Sequence, residues 1–327
     1  MELNDLERKT ILITGATGLI GQAIIKKLKN SSLNINVVDM VRDKKKAERI
    51  LGKETAYYHY LVTDILSLTP RNFGVNYIIH GASITSSKDF VEKPVETIVT
   101  ALEGTRNLLE FARENPVESF VYLSSMEVYG APSTDKKIDE NSNTNLNTTE
   151  VRACYPESKR MCENLCVSYA TEYKIPAKIV RLTQTFGAGV QYNDGRVFAE
   201  FARCVLENRN IILHTKGETK RSYLHTYDAA DAILTVLLKG RIGEAYNAAN
   251  ENTYCSIYEM ATMVAKVCSH NKIEVVVENE KDMEKFGYAP VLHMNLDSSK
   301  LQALGWKAQY NLQDMYEDMI DDLRISK

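Results

Sequence analysis

The chain has 327 residues, a net charge of −3, and 44% apolar and 25% charged residues. These are ordinary globular values for one large or two modest domains, and they give no reason to expect nucleic acid or an anionic membrane as a partner. No apolar run nears the ~20 residues of a membrane span, the acidic, polar start is no signal peptide, and six cysteines without a CxxC pair read as reduced thiols of a cytoplasmic protein with no metal centre.

The first predicted strand, Ile11-Leu12-Ile13, runs into Thr14-Gly15-Ala16-Thr17-Gly18-Leu19-Ile20-Gly21, and apolar residues at 23, 24, 25 and 28 then follow helical spacing. Strand, glycine turn and helix in that order suit a dinucleotide pyrophosphate. Gly15 allows the sharp turn, Gly18 lets the backbone approach the phosphates, and Gly21 lets the helix lie close to the strand. Thr17, Leu19 and Ile20 belong to the same phosphate-facing turn and helix start, whose free N–H groups favour an anion. A second strand is expected at 35–41. Asp39, 18 residues beyond Gly21, is spaced to accept the adenosine ribose hydroxyls of NAD. If Met40-Val41 prolong the strand, Arg42 stands at its end instead, backed by Lys44-Lys45-Lys46 and suited to the 2′-phosphate of NADP. The sequence leaves both cofactors open.

A third strand begins at Tyr58, with Asp64 and Ile65 beyond it to meet an adenine. A fourth, Val75–His80, leads into Gly81, Ala82 and Ser83, small residues that let a cofactor pass; His80 itself reads as structural. Residues 94–113 are helical, and Phe120–Leu123 form a fifth strand entering Ser124-Ser125-Met126-Glu127. Strands alternating with helices of this length predict an α/β fold with a doubly wound parallel sheet. The glycine turn, Asp64, Gly81–Ser83 and Ser124–Glu127 all fall at carboxyl ends of strands, where such sheets bind ligands.

Residues 131–150 are polar and aperiodic, a loop of the length seen in lids, binding loops and inserts. Tyr155-Pro156-Glu157-Ser158-Lys159 then opens a helix running to about Tyr173. Tyr155 and Lys159 share a helix face. An ammonium beside a buried phenol stabilises the phenolate, which makes a general acid/base for a secondary alcohol.

Gly15-x-x-Gly18-x-x-Gly21, Ser125 and Tyr155-x-x-x-Lys159, in this order and spacing, resemble the extended short-chain dehydrogenase/reductases, and among them the nucleotide-sugar epimerases, dehydratases and decarboxylases. The resemblance runs from about residue 9 to 306. It implies that Tyr155 is the acid/base, that Ser125 hydrogen-bonds the reacting oxygen, and that Lys159 holds the nicotinamide ribose while tuning Tyr155. It also implies a Rossmann domain of residues 1–182 with a return segment at about 222–240. A smaller α/β domain of 183–221 and 241–327 would bind the nucleotide-diphosphate sugar. The implied partners are that substrate and a second copy, packed through the helices at 94–113 and 155–173. Arg196 and Arg221 suit a diphosphate, because a guanidinium forks onto phosphate oxygens.

Hydride transfer opens the reaction in these relatives, and the residues after the serine separate their next steps. The dehydratases carry an Asp-Glu pair where this chain has Met126-Glu127, so the base is kept and the acid is missing. Decarboxylases tolerate that combination, whereas epimerases usually lack the glutamate. Glu127 also reads as a structural hydrogen-bond partner, and Arg152 as either a receiver for an anionic substrate group or a solvent-facing cation. Ala101 and Gln184 replace two asparagines of the pattern, which points away from a standard hexose. A net NAD(P)H-dependent reductase of a keto sugar or polyol stays open as the alternative, and a non-catalytic dinucleotide-binding regulator as a remote one.

Overall fold

The computed structural model describes residues 3–68, 74–143, 145–278 and 291–325. Its strands are β1 (Thr10–Thr14), β2 (Asn36–Val41), β3 (Tyr58–Val62), β4 (Tyr77–His80), β5 (Ser119–Ser125), β6 (Ala177–Leu182), β7 (Gln184–Phe186), β8 (Ile211–Leu213), β9 (Lys220–His225), β10 (Ala245–Ala248), β11 (Asn250–Ser256), β12 (Val275–Val277) and β13 (His293–Met294). Its helices are α1 (Leu19–Lys29), α2 (Lys44–Leu51), α3 (Asp89–Glu92), α4 (Pro94–Glu114), α5 (Cys154–Glu172), α6 (Val197–Glu207), α7 (Thr226–Lys239), α8 (Ile257–Met263), α9 (Ser299–Gln302) and α10 (Leu312–Ile325).

Among the described residues the large sheet has the order β10-β6-β5-β4-β1-β2-β3, and every pairing in it is parallel. Strand side chains alternate between faces, and both faces are covered. Ile11 and Ile13 pack with Ile24, Ile25 and Leu28 of α1 and Ile233 of α7. Leu12 faces the other way, into Leu108 and Leu109 of α4 and Cys162 and Cys166 of α5. Burial on both sides explains why these strands read as apolar runs. The chain reverses its strand order between β1 and β4, and the crevice there opens beyond the carboxyl ends of the strands. The expected α/β doubly wound sheet is the observed fold.

The second lobe is built on β9, which pairs with β7, β11 and β13. Its core joins Phe198 and Phe201 of α6, Met260 of α8, and Met315, Tyr316 and Met319 of α10. Two segments differ from the sequence reading. Strand β10, expected in the substrate domain, is the edge strand of the large sheet beside β6. Leu301 and Trp306 also pack in the large-sheet core, and the Trp306 indole donates to the Asp228 carbonyl at 3.1 Å. The loop at 131–150 is tied down in its described part, because Ile138 bridges Leu296 and Arg181 donates to the Glu140 carbonyl at 2.9 Å; residue 144 lies outside the described residues. Among the described residues no helix is long and apolar enough to cross a membrane.

Candidate active site

The glycine turn closes against the β4 end with no room for side chains. A Cβ on Gly15, whose φ is +76°, would lie 2.6 Å from the Gly81 carbonyl carbon. One on Gly21 would lie 2.5 Å from the Gly15 carbonyl oxygen. The Thr14 hydroxyl fixes this junction by accepting from the Ala82 N–H at 3.1 Å. The first turn of α1 then faces the cleft with unpaired N–H groups. The residues present therefore fit a dinucleotide. Gly15, Thr17, Gly18, Leu19, Ile20, Gly21, Arg42, Asp64, Ile65, Gly81, Ala82 and Ser83 all line one cleft of about 2930 Å³.

Asp39 does not. Strand β2 continues through Val41, and Asp39 is fully buried with its carboxylate accepting from the Tyr58 hydroxyl. The expectation that it reads the ribose is corrected by strand length: the residue that emerges at the cleft is Arg42. Lys46 and Arg49 of α2 line the cleft with it, and among the described residues none of these three side chains makes an ion pair. Asp43 is occupied as the α2 cap, accepting from the Lys46 N–H at 3.0 Å.

Burial lifts the Asp39 carboxyl to about 7, against the opposing hydrogen bond of Tyr58 and charge of Lys29. A carboxyl raised in the folded state binds its proton more tightly there than in the unfolded chain. Folding stability therefore falls as pH rises toward 7, by on the order of 4 kcal/mol from this group. Asp39→Asn should melt several degrees higher than the parent at about pH 8, with the gain shrinking toward about pH 5; thermal melts across that range measure it.

The chemical end of the cleft is formed by β5 and α5. Ser125 ends β5 with its hydroxyl capping the following turn, where it accepts from the Glu127 N–H at 3.2 Å. Tyr155 and Lys159 lie one turn apart on α5, both buried. Burial raises the Tyr155 phenol above its ordinary range and the Glu127 carboxylate adds to that rise; the nearby Ser125 hydroxyl and the Arg152 charge hold it down. Burial brings the Lys159 ammonium down to about 8. Its Nζ donates to the Leu123 carbonyl at 2.8 Å and stands 5.8 Å from the Tyr155 ring centre. Arg152 is thus a second cation near the phenol, in addition to Lys159.

Arg152 donates to both Glu127 oxygens, at 2.9 and 3.1 Å. Its guanidinium lies 4.5 Å over the Phe90 ring, and Phe90 stacks on Tyr155 at 4.3 Å between centres. Phe90 escapes the sequence reading, since nothing in its segment has a period. Met126 is buried and its sulfur accepts from the Thr183 hydroxyl at 3.4 Å. Gln184 accepts from Arg221 at 3.3 Å, whereas Arg196 is paired with Asp194 at the cleft rim. His80 is structural as read, fully buried between the Thr14 and Thr105 hydroxyls at 2.8 and 3.0 Å.

A model of the NAD dependent epimerase/dehydratase family matches residues 11–249. The chain belongs to this family. UDP-glucuronic acid decarboxylase 1 of Danio rerio is 28% identical over 86% of this chain, which spans 66% of that relative's length. The dTDP-D-glucose 4,6-dehydratase of Homo sapiens is 28% identical over 91% of this chain and 85% of its own. Among solved structures, a UDP-N-acetylglucosamine 4-epimerase from Methanobrevibacter ruminantium M1 superposes with a TM-score of 0.84 at 16% identity, covering 98% of this chain and all of the other. A dTDP-glucose 4,6-dehydratase from Bacillus anthracis, solved with NAD, gives 0.77 at 19% identity over 97% of each chain.

Proposed function

We propose that this member of the family is an NAD(P)-dependent enzyme that oxidises a secondary alcohol of a nucleotide-diphosphate sugar and reduces it again after the neighbouring carbon has reacted. The observation that carries the reading is that Ser125, Tyr155 and Lys159 line the same cleft as the glycine cradle and the second lobe. Tyr155 removes the proton of the sugar hydroxyl, Ser125 hydrogen-bonds the same oxygen, and Lys159 holds the nicotinamide ribose. A bound nicotinamide supplies the hydride acceptor. The sugar ketone acidifies the next carbon, and Glu127 faces that position. Met126 has no proton to give a leaving hydroxyl, so decarboxylation or epimerisation fits better than 4,6-dehydration, and the glutamate favours decarboxylation. Gln184 and Arg221 lie on the sugar and diphosphate side, with Arg196 at its rim.

The test is to incubate the purified protein with UDP-glucuronate, UDP-glucose and dTDP-glucose and follow product mass and carbon dioxide. An isomer or a decarboxylated sugar without net cofactor consumption is expected. A stable 4-keto-6-deoxy product would contradict the role given to Met126.

Arg42, Lys46 and Arg49 favour NADP(H) as the nucleotide, and with it the second reading, a net reductase of a keto sugar. Arg42→Ala should weaken NADPH binding about 10- to 100-fold, the worth of one charge-assisted hydrogen bond, and leave NADH nearly unchanged. Calorimetric titration with both nucleotides decides it. If NADH loses as much as NADPH, Arg42 does not read the 2′-phosphate.

For the second copy we propose the α4–α5 face, where Val95 is 71%, Val99 43% and Met161 52% exposed. Apolar side chains at that exposure favour a partner surface. Val95→Glu should convert a dimer to a monomer in sedimentation, and an unchanged sedimentation coefficient would place the contact elsewhere.

A further inference from the structure

Three groups meet over the catalytic phenol from parts of the chain far apart in sequence. Glu127 comes from the turn after β5, Arg152 from the turn before α5, and Phe90 from α3. The guanidinium donates to both Glu127 oxygens and lies 4.5 Å from the Phe90 ring centre, while Phe90 stacks on Tyr155 with an interplanar angle of 17°. The plate is itself fixed, because the Cys154 thiol donates to the Phe90 carbonyl at 3.2 Å. Both bonds come from the one Nη2 nitrogen, a charge-assisted contact that ties the carboxylate to the guanidinium. Lys159, the cation expected to tune the phenol, donates to the Leu123 carbonyl.

We propose that Arg152 is a positioning residue of this site, which clamps Glu127 beside Tyr155 and offsets the carboxylate's field at the phenol. The inference rests on Tyr155 being the proton-transfer group of the proposed function. Glu127 makes phenolate formation harder, and the Arg152 charge opposes it. The clamp thus lets a base for the second step stand beside the base for the first without disabling it. A substrate group that drew Arg152 away would reverse that balance, so the order of the two proton transfers is tied to this contact. The other titratable neighbours of the phenol are Tyr122 within β5, Cys154 and Lys159 on α5. On the α3 side, Asp89 and Lys93 border the same cleft. All five stay unchanged in the variants below.

The test is a direct titration of Tyr155, which needs no substrate. The full chain is labelled with 3-fluorotyrosine and saturated with the oxidised nicotinamide nucleotide it binds more tightly, and the Tyr155 fluorine resonance is assigned by its loss in Tyr155→Phe. Arg152→Gln should move the ionisation midpoint up by about half a pH unit or more and Glu127→Gln should move it down by a similar amount. The double variant should return close to the parent and Arg152→Lys should restore most of the shift. Shifts of the same sign in both single variants, or an unmoved midpoint in Arg152→Gln, overturn the proposal. A merely structural arginine would perturb both singles alike and would not be cancelled by Glu127→Gln. Opposite shifts in a protein that turns over no nucleotide sugar would leave the clamp standing and refute the proposed function alone.

Discussion

Tyr155→Phe should lower kcat by about 1,000-fold, within the range of a lost general acid/base, while nucleotide-sugar affinity changes little. The ring at this position would keep its stack on Phe90 at 4.3 Å and its buried place on α5, so only the hydroxyl is removed. Ser125 would retain its cap on the following turn and could still bond the sugar oxygen, but the group assigned to take the proton would be gone. The split between kcat and KM is the informative readout. A rise in KM with kcat retained would make Tyr155 a binding residue.

Gly15→Ala should destabilise the fold by about 2–5 kcal/mol, combining left-handed strain of about 1–2 kcal/mol with overpacking of about 1–3 kcal/mol, and should abolish nucleotide binding. The added methyl group would sit 2.6 Å from one backbone carbon and 2.7 Å from one backbone oxygen of Gly81. Neither belongs to a side chain that could swing away. Relief would require β1 and β4 to separate at the switch point, which also turns the α1 N–H groups off the phosphates. Gly52→Ala is the control. Its φ is +90° but an added Cβ has no neighbour within 4 Å, so strain acts there without a clash and nucleotide binding should survive. Chemical denaturation and nucleotide titration of the two variants separate these causes. Equal loss in both would mean that backbone strain alone, and not the contact with Gly81, shapes the cradle.

Local pattern carried most of the fold. β1 with its glycine turn and α1, and α5 with Tyr155 and Lys159, each announce themselves within about ten residues through period and turn chemistry. What failed was information held in register. Asp39 pairs with Ile13 on one side and Tyr60 on the other, and only that placement shows that its carboxylate faces the buried side, toward Tyr58. An acid followed by two apolar residues reads equally well as a strand end. Strand β10 is four residues long, too short to be allotted to one sheet without its neighbours. The Glu127–Arg152 clamp joins residues 25 apart, and Phe90 reaches them from another segment, so no spacing rule links the three. The sequence marks Arg152 as a cation near the tyrosine, but its partner and its position over Phe90 are properties of the folded chain.

The account turns on oxidation of a sugar carbon under the control of Tyr155. The most direct test is to mix the protein with UDP-glucuronate, UDP-glucose or dTDP-glucose deuterated at C4, quench early, and weigh the released nicotinamide nucleotide by mass spectrometry. Deuterium in the nucleotide from the wild-type protein, and none from Tyr155→Phe, is the predicted result. Turnover of any of these sugars with the deuterium never reaching the nucleotide, or equal transfer by Tyr155→Phe, would contradict it.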